Sequence, residues 1–332
     1  MLAYLVRRLF HTVLVVWGAM TLLFFLIFFM PGDIIESGDG DMNRQMTASV
    51  RENLERLYGL DKSVPEQYIK SLRRVFTFDY GVSSTEREIF GMLKQSIVAS
   101  GRLAFWGLLS FAVLGTASGA VAAARRNGAF DRVTGFLSIL LVALPPFVMG
   151  ILLQIIFGVT PFQRGWPKWI QFPIQWSDQD MTWFAGVIPK GGTWKYLLFP
   201  VVTLACVNIG SLSRLARATT LETLRADYIR TAHAKGLSKR RVLFKHGLRN
   251  SLIPVVTSIG TEIPNVLGFA ILTETVWNVP GLGGTIRDAV FAQDTPLLLS
   301  FCSVIVLIAA LSSLAVDISY GFLDPRVRVY EQ

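Results

Sequence analysis

The chain has 332 residues, 52% of them hydrophobic and only 17% charged, with a mean hydropathy of +0.47. A soluble domain carries about 25% charged residues, so composition argues against one and for membrane spans. The net charge of +9 suits a nucleic-acid binder, but the excess lies in loops of one side. That distribution reads as membrane topology, with a lipid bilayer and no nucleic acid as the environment.

The first apolar run is Leu9 to Met30, after Arg7 and Arg8 and before Pro31-Gly32-Asp33. It is longer than the ~7–15 residues of a signal-peptide core and lacks a small-residue cleavage site, so it reads as an uncleaved span. Residues 31–99 are polar, and 50–81 show short amphipathic patterns broken at Gly59, Pro65 and Gly81. Small helices outside the bilayer are expected there. Five further spans follow at about 101–124, 134–158, 196–215, 252–277 and 297–321, each near the ~20 residues that cross a hydrocarbon core. Between the third and fourth, residues 159–195 carry Trp166, Trp169, Trp176, Trp183 and Trp194. They read either as interfacial anchors or as a landing surface for a partner.

Lys and Arg cluster at the amino end, in 124–132 and in 216–250. With six spans these regions share one side with the carboxyl end, and the positive-inside rule makes that side cytoplasmic. Residues 31–99 and 159–195 then lie outside. The organisation is a first segment 1–30, an external region 31–99, a five-span core 100–326 and a tail 327–332. Cys206 and Cys302 sit in apolar runs and read as small core residues, while His11, His233 and His246 are too scattered for a metal site.

No G-x4-G-K-[ST], HExxH or GxSxG string occurs, so P-loop ATP chemistry, zinc hydrolysis and an elbow serine find no support. The informative stretch is DYIRTAHAKGLSKRRVLFKHGLRNSLIP, 227–254. It predicts a short helix, a break at Gly236 through positive φ, and a second helix entering span 5. Small residues among the basic ones suit either close approach of another protein or a connector on anionic headgroups.

The strings DYIRTAHAKGL (227–237) and HGLRNSLIP (246–254) resemble the coupling loop of ABC importer permeases in the dipeptide/oligopeptide and nickel family. YGLDKSVPEQY (58–68), FDYGVS (78–83), ALPPFVMG (143–150), TETVWNVPGLGG (273–284), QDTPLLLS (293–300) and LAVDISYGFLDPR (314–326) continue the likeness in order. The match is to the B-type subunit, which has a long outer loop after its first span. His233 departs from a common arginine, Arg230 from a general glutamate, and the loop 159–195 is long and aromatic.

The resemblance implies an all-α, six-span permease of the type I ABC importer fold in a bacterial or archaeal plasma membrane. It implies a second homologous permease, two ATP-binding subunits and an external substrate-binding protein as partners. ATP and Mg²⁺ would be bound by those ATPase subunits and no cofactor by this chain. Coupling would fall to Tyr228, Arg230, Thr231, Ala232, His233, Ala234, Lys235 and Gly236. The cargo would be dipeptides or oligopeptides, with nickel or another small ligand as the alternative. A secondary transporter or channel is the competing class, and it leaves the coupling loop unexplained.

Polar residues inside spans are functional candidates because hydrocarbon makes them costly. Gln154, Asn208, Glu262, Asn265 and Glu274 are such residues. Glu262 reads either as an interhelical hydrogen bond or as a pathway-lining group, and Glu274 as a local pairing that shapes the end of span 5. Asp317 is expected to meet a basic loop residue.

Overall fold

The computed structural model describes residues 2–28, 62–85, 87–176, 183–184, 188–189, 194–238 and 241–323. Residues 29–61, including Pro31-Gly32-Asp33, as well as Lys239, Arg240 and the tail from 324, lie outside the described residues, as does Trp183 beyond its backbone. Among the described residues, six helices are long and apolar enough to cross a membrane. The chain divides into two compact units, residues 1–100 with 280–332, and 101–279.

In the first unit, α1 (Leu2–Phe28) packs along α11 (Thr295–Leu323) and meets α2 (Val64–Thr77). Val16, Met20 and Val75 are buried there against Leu72, Val306 and Leu307. The amphipathic α2 begins with Pro65 in its first turn and ends at Phe78 with a left-handed φ of 54°. A second core joins Tyr80, Ile89 and Leu93 to α10 (Leu282–Phe291) and to Phe301 and Val304 of α11. Burial pushes the Tyr80 phenol up to about 12. Asp294 caps α11, accepting from Leu297 N at 3.1 Å and from Ser84 N at 3.1 Å. Asp317 meets Arg8 of α1 at 3.2 Å. Its partner thus sits on a helix, where a loop residue was expected.

Helix α3 (Ile89–Ala124) runs 36 residues, about 54 Å, and so exceeds the ~30 Å hydrocarbon core. It begins twelve residues before the predicted start at 101. Its later part lies in the second unit, where α7 (Trp194–Leu224) is the central helix. Gly115 and Gly119 of α3 sit so close to α7 that an added Cβ meets Leu212 and the Ser213 carbonyl. Membrane helices use such small residues to bring backbones together.

The predicted single span 134–158 is two helices. α4 (Ala129–Ala143) stops because Leu144 precedes Pro145 and takes the extended ψ of 127°. Helix resumes at Pro146 as α5 (Pro146–Leu153), a π-turn at Gln154–Val159 and α6 (Thr160–Gln163). The Pro-Pro pair in ALPPFVMG is the physical cause. Residues 183–184 and 188–189 form a two-stranded antiparallel pair, Trp183 opposite Pro189.

At one end of the second unit the aromatic segment folds back. Gln154 Nε2 donates to Ile174 O and Val276 O at 2.9 and 2.8 Å. Phe199 stacks on Phe157 and Trp277, and Trp277 Nε1 donates to Thr203 Oγ1 at 3.0 Å. Trp176 is buried, whereas Trp166, Trp169 and Trp194 are exposed. The tryptophans therefore do not act alike.

Candidate coupling segment and intramembrane polar cluster

The segment after α7 folds on itself. Ala226 is extended at the N-cap, and α8 (Asp227–Ala234) opens with Asp227 in its first turn, where the helix dipole favours an anion. Ile229 and Ala232, three apart, share one face and are buried against Val242 and Leu237. The helix ends as its sequence requires: Gly236 takes φ 77°, Gly236 N donates to His233 O and Leu237 N to Ala232 O. These two bonds and the Leu237 contact form a Schellman end. The chain then climbs through a π-turn, Val242–Leu248, directly into α9 (Arg249–Trp277).

The predicted coupling residues therefore divide. Arg230, Thr231, His233, Ala234, Lys235 and Gly236 are exposed. Ala232 is 6% exposed and faces the chain's own core, so a bulky group there meets Val242 before any partner. Tyr228 is exposed, and its hydroxyl accepts from Asn250 Nδ2 at 2.9 Å, tying α8 to the start of α9. Arg230 reaches Asp227 at 3.4 Å, but both are almost fully solvated, so the pair contributes little. His233 Nδ1 lies 3.0 Å from Ile229 O. Sequence reading missed Leu237, Val242 and Asn250. The apolar spacing 229, 232, 237, 242 was the available signal.

Three residues singled out separately come together inside the membrane. Asn208 Nδ2 of α7 donates to Glu262 Oε2 at 2.9 Å, and Asn265 Nδ2, one turn along α9, donates to the same oxygen at 3.1 Å. Glu262 and Asn208 are half-buried and Asn265 is exposed. Glu274 stands apart: it lies twelve residues, about 18 Å, further along α9 and is 1% exposed beside Trp277.

A second carboxylate also meets α7. Asp131, which precedes the apolar run of α4, accepts from Arg217 Nε at 2.5 Å and Nη2 at 2.8 Å, and from Asn127 N at 2.9 Å. The Arg217 hydrogen bonds, then the Asn127 N–H, hold its carboxyl down at about 2. Sequence reading had assigned these residues no partner.

Six apolar helices among the described residues, a small-residue helix crossing and a short helix packed at the start of one span define a polytopic membrane protein. The chain belongs to the binding-protein-dependent transport system inner membrane components: that family matches residues 115–329, and its amino-terminal companion matches 1–94. It is 32% identical to the dipeptide transport system permease protein DppB of Lactococcus lactis subsp. cremoris, over 99% of this chain and 100% of the relative. It is also 32% identical to the di/tripeptide transport system permease protein DppB of Pseudomonas aeruginosa, over 99% of each chain. A glutathione transport system permease protein, GsiC of Pectobacterium atrosepticum, is 32% identical over 99% of each.

Proposed function

We propose that this chain is the transmembrane subunit of an ATP-driven peptide importer, forming half of the translocation pathway beside a second, homologous permease. Full-length likeness to permeases named for dipeptides and di/tripeptides carries the reading. Two separate ATP-binding subunits hold ATP and Mg²⁺, and an external binding protein delivers the cargo. The termini and residues 216–250 are cytoplasmic, with 31–99 and 159–195 outside, an orientation the Lys/Arg asymmetry supports. The exposed side of α8, with Arg230, Ala234 and Lys235, docks on an ATPase subunit. Its Schellman turn and its buried face on Val242 let a push on α8 pass into α9 without local unfolding.

The test uses the purified complex in proteoliposomes. Tripeptide with its binding protein should stimulate ATP hydrolysis, and Ala234→Trp should abolish that stimulation while leaving the permease pair assembled. Full stimulation in Ala234→Trp would show that this side of α8 does not dock.

A further inference from the structure

Lipid-covered faces of membrane helices are apolar. α1 has such a face, with Val6, Leu9, Phe10, Val13 and Leu22 all more than half exposed. The middle of α9 departs from it. Thr257, Thr261, Asn265 and Gly268 are exposed at spacings of four, four and three, which keeps them on one side of the helix. The threonine hydroxyls bond back to their own helix, so they do not decide what covers this side. Glu262 and Asn265 do. Both Asn208 and Asn265 donate to Glu262 Oε2. Glu262 Oε1 receives no donor among the described residues, and no cation of theirs lies within ion-pair distance.

A carboxyl group with an open oxygen is costly against hydrocarbon, and such groups in spans almost always face water or another polar group. Its depth makes this acute. Glu262 lies thirteen residues, about 20 Å, from Arg249 and fifteen, about 22 Å, from Trp277, which bound α9. It therefore stands near the bilayer centre, where a passing ammonium group also meets its highest barrier.

We infer that Glu262, positioned by Asn208 and Asn265, is a cation-accepting station midway along the translocation pathway, where Oε1 takes the primary ammonium group of the cargo. The inference rests on the reading of this chain as half of a peptide pathway. The two amides fix the carboxylate by Oε2 and leave one oxygen outward. A single acceptor gives a contact weak enough to release, as conduction through a pore requires. No covalent step is involved.

The test needs no knowledge of cargo preference. In the intact complex, Cys206 and Cys302 are changed to alanine and Ser258→Cys is introduced one turn before Glu262. Labelling rates are measured with a trimethylammonium and a sulfonate methanethiosulfonate, each normalised to a free thiol, with and without ATP. The cationic reagent should react about tenfold faster, and Glu262→Gln should remove the preference. A tripeptide, its binding protein and ATP should slow the labelling. Absence of labelling by either reagent in every nucleotide state would overturn the inference, because the cluster is then sealed against the second permease or lipid. Equal rates with Glu262 present would overturn it as well. A cation preference that no peptide affects would leave the station standing and remove the peptide reading instead.

Discussion

Two carboxylates face the same helix, α7, and they are treated in opposite ways. Asp131 receives the guanidinium fork of Arg217 and a backbone N–H, so both oxygens are filled and its residue is 7% exposed. Glu262 meets Asn208, nine residues earlier on α7, and one of its oxygens receives no donor among the described residues. A filled carboxylate holds helices together. A half-filled one at membrane depth keeps a costly polar atom available to another group.

The largest effect should come from breaking the filled pair. Arg217→Ala leaves Asp131 buried and unpaired and should cost about 2–3 kcal/mol, below the range for fully buried pairs because Arg217 is about a third exposed. A thermal-unfolding scan of the solubilised protein would read this. The sign with pH follows from the lowered carboxyl: the stabilisation is complete above the ordinary value of 3.8 and is lost as pH falls through about 2. Wild type should therefore lose stability in that acid window, and Arg217→Ala should show no such loss. A mutant as stable as wild type at neutral pH would end the contrast.

Next in size is the turn after α8. Gly236→Val forces a β-branched residue to φ 77°, at a cost of about 1–2 kcal/mol. Hydrogen exchange should rise across 227–248 while the spans stay protected, and peptide-stimulated ATP hydrolysis should fall with it. Unchanged exchange would show that the turn tolerates a side chain.

The smallest stability effect should be at the open carboxylate. Glu262→Gln keeps an oxygen that accepts from both asparagines, so unfolding should shift by less than about 0.5 kcal/mol. A loss as large as that of Arg217→Ala would make Glu262 a structural brace and erase the difference between the two sites.

Much of this was legible in the sequence, and the omissions have physical reasons. The six spans follow from apolar length, and the Gly236 break from a glycine after a short amphipathic helix. Asn208, Glu262 and Asn265 were each visible as polar residues in spans. Their meeting was not, because it depends on how α7 and α9 are rotated, which hydropathy does not fix in an apolar solvent. Ala232 was read as a docking residue because it is small. Its burial depends on Val242, ten residues on and beyond a turn. The interruption of the third span was written in Pro145-Pro146, but the unbroken apolar run masked it.

Helix α9 carries Pro254 and Pro264 within a continuous helix. Neither ring has an N–H, so the carbonyls of Asn250 and Gly260 lose their ordinary helical donors. These two points are joints in the hydrogen-bond ladder of the helix, and the nine residues between them include Ser258 and Glu262. Asn250, below the first joint, is bonded to Tyr228 of α8. The tie to α8 therefore lies on one side of the first joint and Glu262 on the other. Bending at Pro254 would then turn the Glu262 carboxyl group relative to α8, as a turnstile arm turns on its post.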